Sequence, residues 1–217
     1  DRAKPNELCV GFSRDGFHWS RPSHEPFIPV SETVGDWNWA NVQSAGGCCL
    51  VVGDQLYFYV SARKGVPGSS ASGVCSTGLA MLRRDGFASM EAAGEPGILT
   101  TRPVRFSGKH LFVNADTKGG ALHVEVLGKD GTPIAPYTVE SCLPVSLDST
   151  CEPVVWKEAE DLAALAGQPV RFRFHLRDGA LFSFWVSPSP YGASNGYVAA
   201  GGPGVTGPAD TVGKRDD

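Results

Sequence analysis

The chain has 217 residues, a formal net charge of −4 and a sequence pI near 5.7. That acidic balance argues against a nucleic-acid partner, which selects for a basic face. No apolar run approaches the roughly 18 residues of a spanning helix, so no membrane partner is expected.

The 27 glycines and 16 prolines exceed the usual share and predict dense turns in an all-β fold. The length suits one large β domain or two small ones. The chain begins with Asp rather than Met and shows no signal peptide, so a trimmed start is expected.

In chain order, Leu8 to Phe12 runs into Arg14-Asp15-Gly16, and Phe17 to Ser20 resumes the strand pattern. Asp-Gly between two such runs predicts a hairpin, because Gly supplies the positive φ of a tight turn. Residues 22–42 form a Pro-rich connection carrying Trp37 and Trp39. Residues 48–52 and 55–61 read as strands around Gly53-Asp54, with a Gly/Ser-rich loop over 64–76. Arg84-Asp85-Gly86-Phe87 then repeats the Arg14–Phe17 pattern and predicts a second hairpin from 78–83 and 87–91. Two matching hairpins suggest a repeated sheet unit. The four strands within 48–91 read as one β-propeller blade, with the first hairpin as the outer half of the blade before it. This predicts a partial β-propeller of about one and a half blades over residues 1–98.

From residue 99 the pattern changes. Strands are predicted at 104–106, 109–114, 121–127, 154–156, 170–176 and 181–186. His123, Glu125, Arg171, Arg173 and His175 alternate with apolar neighbours, the mark of a sheet with one wet face. Lys129-Asp130-Gly131 and Arg177-Asp178-Gly179 supply turns, and the spacing predicts a β-sandwich over 99–187. One short helix is predicted over 157–165, stopping near Gly167. Residues 188–217 predict an irregular or disordered tail.

The six cysteines lack Cys-x-x-Cys or Cys/His zinc spacing, and no metal or cofactor is expected. Buried free thiols are one reading, and a Cys142–Cys151 pair across a turn-rich segment is another. Cys48 and Cys49 sit in a predicted strand and should face opposite sides of it.

Several segments carry a family resemblance. Gly11-Phe12-Ser13-Arg14-Asp15-Gly16-Phe17-His18-Trp19 resembles a Ser-x-Asp-Gly-x-x-Trp blade hairpin, and Leu56–Ser61 resembles an inner blade strand. Thr101-Arg102-Pro103, Gly120–Leu127, Asp130-Gly131 and Val170–Phe174 resemble the sandwich attached to such propellers. Together they are similar to the C-terminal part of the five-bladed propeller glycoside hydrolases of family 32 (invertases, levanases, inulinases) and their family 43-like relatives. The resemblance implies a carbohydrate partner, an oligo- or polysaccharide, and an extracellular or periplasmic setting. Three motifs of family 32 are missing: Trp-x-Asn-Asp-Pro, Arg-Asp-Pro and Glu-Cys. The two Arg-Asp-Gly segments are turns rather than Arg-Asp-Pro sites. The catalytic carboxylates are therefore unassigned and expected outside this chain, because hydrolysis needs a facing pair.

Substrate contact is expected from Trp37, Trp39, Asn41 and Gln43, where indole faces stack on sugar C–H surfaces and amides pair with hydroxyls. The alternative is that both indoles pack within the fold. Arg63, following the Leu56–Ser61 strand, is expected to face the same pocket or, alternatively, solvent. Gly192-Ala193-Ser194-Asn195-Gly196 matches Gly-x-Ser-x-Gly but lacks the strand and helix that a nucleophile elbow needs. Asn114, Asp116, Gly119 and Gly120 offer too few carboxylates for a calcium loop. His123 and His175 are expected at a surface or interface. Three functions stand open: part of a glycoside hydrolase, a non-catalytic carbohydrate-binding or protein-interaction module, and an unrelated esterase-like hydrolase. Half a blade also leaves a sheet edge near residues 8–20, which invites pairing with a second copy of the chain.

Overall fold

A computed structural model describes residues 4–213 and divides them into two compact units. The first takes in the chain up to Leu82 together with Ala200–Gly202. The second runs from Arg83 to Ala199 and resumes at Pro203. The fold is all-β, built of antiparallel sheets, with no α-helix and no closed barrel or propeller among the described residues.

In the first unit, β1 (Phe12–Ser13) pairs antiparallel with β2 (Trp19–Ser20). The turn between them is set by side chains. Asp15 Oδ1 accepts the N–H groups of Phe17 and His18, and Ser13 Oγ accepts that of Gly16. Gly16 takes φ +78°, the left-handed conformation that favours Gly. The flanking Leu8 pairs with Ile28 instead of extending β1.

The main sheet of this unit is organised by the nine-residue β5 (Gln55–Arg63). β3 (Asn41–Ser44) pairs with its end, Asn41 opposite Arg63, and β4 (Leu50–Val52) with its start, Leu50 opposite Tyr57. Residues 45–49 loop out between β3 and β4, so Cys48 and Cys49 precede a strand rather than sit in one. β6 (Cys75–Arg83) also pairs with β5. Period-2 alternation decides the faces. Leu56, Val60 and Ala62 are buried, while Tyr59 is exposed and Ser61 and Arg63 are half-buried. Val42, Val60 and Ala62 meet Val30 in a small core, with Leu8 and Ile28 packed against it.

The second unit holds β7 (Met90–Ala92), β8 (Gly97–Thr100), β9 (His110–Asp116), β10 (Ala121–Leu127), β11 (Asp148–Pro153), β12 (Arg171–Arg177) and β13 (Gly179–Ser187). One sheet has the order β10-β12-β8 and the other β11-β9-β13-β7. Both contribute to one core. Val124 and Val126 of β10 and Phe172 and Phe174 of β12 join Leu111 and Val113 of β9 there. The Arg-Phe-Arg-Phe-His-Leu-Arg sequence of β12 buries its phenylalanines and Leu176 and leaves the polar positions on the other face.

Several sequence expectations are corrected. The second Arg-Asp-Gly-Phe segment does not form a hairpin. There Asp85, not the Gly, takes positive φ (+54°), and the Gly86 N–H donates to the Arg83 carbonyl. The chain leaves the sheet, and Met90–Ala92 pairs with β13. The predicted four-strand blade over 48–91 therefore loses its last strand. The expected helix over 157–165 shrinks to a 3₁₀ turn, Ala163–Leu165, ahead of Gly167 at φ +76°. Cys142 does not pair with Cys151. Its thiol is free and buried, accepting the Val124 N–H. Cys9, Cys48 and Cys75 are exposed, so burial holds for Cys142 and not for the set. The tail is irregular but pinned: Trp185 Nε1 donates to the Gly192 carbonyl at 2.8 Å, and Tyr197 bridges Ala209. Its last residues, 214–217, lie outside the described residues.

Candidate functional site

A cavity of about 400 Å³ opens in the first unit, where β3 meets the end of β5. The antiparallel register builds its floor. Asn41 lies opposite Arg63 and Gln43 opposite Ser61, so these four side chains share the face of the sheet away from the small core. Trp39 and Ala40 enter from the segment before β3. The remaining wall is the 65–72 loop, which brings Ser69, Ser70 and Ser72 to the rim.

That loop is closed on itself. The Lys64 N–H donates to the Val74 carbonyl and the Gly65 N–H to the Ser72 carbonyl, each at 2.9 Å. Gly65 has φ +72°, and a Cβ there would lie 2.6 Å from the Ala40 Cβ and 3.1 Å from the Trp39 ring. Only Gly lets the loop approach the Trp39 segment this closely.

Four of the five residues expected to contact substrate therefore come together: Trp39, Asn41, Gln43 and Arg63. Trp39 is 4% exposed, so its indole is a packed wall rather than an open stacking platform. Trp37 is not among the lining residues. It is half-exposed, with its ring pressed against Gly78, where a Cβ would meet it within 2.2 Å. Sequence reasoning missed the three loop serines. The signal was present as a run of small hydroxyl residues bracketed by Gly65, Gly68 and Gly73, two residues past Arg63.

The chemistry of the lining is polar and uncompensated. Asn41 Oδ1 is buried and accepts no hydrogen bond among the described residues. An unsatisfied buried acceptor costs about 1–3 kcal/mol, so its retention asks for a reason. Arg63 donates a single bond from Nη1 to Ser61 Oγ at 3.3 Å and makes no ion pair among the described residues. Among the described residues no Asp or Glu lines the cavity.

The other sequence motifs are absorbed by structure. Ser194 Oγ donates to Asp210 Oδ2 at 2.9 Å, and Arg84 pairs with the same oxygen at 2.7 Å. Among the described residues no imidazole contacts Ser194, and Asp210 is held by Arg84, so the Ser–His pairing of a nucleophile elbow is not formed. Asn114 accepts from Arg83 Nε and donates to the Arg84 carbonyl, both at 2.6 Å, which uses its amide as a brace rather than a ligand. His123 lies opposite His175 across β10 and β12, and His175 contacts the buried Glu125 at 2.9 Å. A second cavity, about 370 Å³, is lined mostly by backbone and small side chains between Ser189 and Gly213.

Comparison with protein-family models, with curated proteins and with solved structures gives no match.

Proposed function

We propose that this chain is the C-terminal part of a glycoside hydrolase-like protein and that it holds carbohydrate in the cavity between β3, the end of β5 and the 65–72 loop. In this reading the β3–β6 sheet corresponds to propeller-blade strands, and the two sheets of the second unit to the β-sandwich that follows such a propeller. The carrying observation is the cavity lining, where Asn41, Gln43, Arg63 and three serines surround one space. Amides, hydroxyls and a guanidinium match the mixed donors and acceptors of sugar hydroxyls. The buried Trp39 supplies an apolar wall behind them.

Among the described residues no carboxylate lines the cavity, and in this reading the chain holds sugar without cleaving it. The catalytic pair of the full protein then lies elsewhere. The same observation favours a second reading, a non-catalytic carbohydrate-binding module. Both readings predict binding by this chain.

The test is a glycan-array screen on the full chain, followed by titration of any hit. Binding should weaken by about ten-fold in both Asn41→Ala and Gln43→Ala, the size expected for one hydrogen-bonding group lost. An array with no hit, or a hit indifferent to both substitutions, would remove the proposal.

A further inference from the structure

We infer that the ligand of this cavity is an acidic glycan, with a carboxylate or sulfate ester bound by the Arg63 guanidinium. The inference rests on the carbohydrate reading above and adds the charge of the ligand.

Three observations carry it. First, among the described residues the only ionisable side chains lining the cavity are Arg63 and Lys4, both cationic. They stand in a chain of net charge −4, so the local sign is opposite to that of the whole. Second, Arg63 is half-buried at the end of β5 with no ion-pair partner among the described residues. A guanidinium carries five N–H donors, and the 3.3 Å bond to Ser61 Oγ engages one nitrogen. The others remain for an oxyanion with two oxygens in reach, which Arg recognises through two parallel bonds.

Third, the contrast within the same chain is informative. Arg83 and Arg84 each meet an aspartate, at Asp148 and Asp210, and Arg173 meets Glu125. These three arginines each meet a carboxylate, whereas among the described residues none lines the cavity beside Arg63. A partly desolvated cation without an internal counter-ion is stabilised by an external one. Ser69, Ser70 and Ser72 on the facing wall add hydroxyls that pair with the neutral part of a sugar.

The test uses isothermal titration of the full chain with four probes: a uronate trisaccharide, a sulfated neutral trisaccharide, and the uncharged counterpart of each. The expected result is that at least one acidic probe binds about ten-fold more tightly than its uncharged counterpart, the worth of one charge-assisted bond. The two acidic arms separate carboxylate from sulfate as the source of the charge. The preference should disappear in Arg63→Gln, with residual affinity matching the uncharged probe, and should fall with added salt. Equal binding of acidic and uncharged probes, with loss in Asn41→Ala, overturns the inference and leaves the carbohydrate reading standing. Binding of no probe overturns both. A preference retained in a folded Arg63→Gln variant rejects the assignment to Arg63.

Discussion

The two units of this chain spend their polar groups in opposite ways. In the second unit, polar side chains that leave water are matched. Arg83 donates to Asn114 Oδ1, to the Ala115 and Ser149 carbonyls and to Asp148, with its guanidinium 4.8 Å above the Phe182 ring. Glu125, 5% exposed, meets both Arg173 and His175. In the first unit the core cluster is four small or β-branched side chains, Asn41 Oδ1 is buried without a partner among the described residues, and Arg63 lines the cavity with one side-chain hydrogen bond. The difference teaches that one unit is built to hold its shape. The other carries polar surface that the proposed function assigns to a ligand.

The largest effect should come from the denser core. Phe172, 1% exposed, packs against Phe106, Phe174 and Phe184. Phe172→Ala should cost about 3–5 kcal/mol in denaturant unfolding. A cost below 1 kcal/mol would show that the two units do not differ as described.

Next is Arg83→Gln, with an expected loss of about 2–3 kcal/mol, because it strips a network and leaves buried acceptors unpaired. It also changes the pH dependence. The hydrogen bond from Arg83 holds the Asp148 carboxyl below its ordinary 3.8. Between that value and the lower folded one, the unfolded chain binds more protons, so stability rises with pH there. The contribution is complete above pH 3.8 and is lost as the pH falls through the folded pKa. Acid unfolding of Arg83→Gln should show a shallower slope in this window. An unchanged slope contradicts the pairing.

Gly65→Ala should cost about 1–2 kcal/mol, since it combines an unfavourable φ with a clash at Ala40 and Trp39. The smallest stability effect belongs to the site itself. Asn41→Ala should leave stability unchanged or slightly raised, because it removes an unsatisfied buried acceptor, while sugar binding falls. A destabilisation above 1 kcal/mol would make Asn41 a structural residue.

Much of the second unit was legible in the sequence. The 121–127 strand is found with its predicted bounds, and β9, β12 and β13 lie within a few residues of theirs, because β12 alternates cleanly and the others carry apolar-rich runs of strand length bounded by turn residues. The Arg-Asp-Gly-Phe repeat was less reliable. One copy closes a hairpin through Asp15 and Ser13 hydroxyl and carboxylate bonds. The other follows the long-range demands of Arg83 and β13, so identical turn residues reach different ends. β3 was hidden because Asn-Val-Gln-Ser carries a single apolar residue, and only its register with β5 reveals it. Asn41, Gln43 and Arg63 were nonetheless reachable as a group, since polar residues flanked the strand-like run that ends at Ser61. The loop serines needed the 64–74 backbone pairing, which no local pattern announces.

The most direct test of the central claim, that the ligand site belongs to the first unit and the scaffold to the second, is hydrogen–deuterium exchange of the full chain with and without the tightest glycan from the array. The account predicts slowed exchange in peptides covering 39–44 and 61–74, with peptides over 121–127 and 171–177 unchanged. Protection confined to the second unit would contradict it.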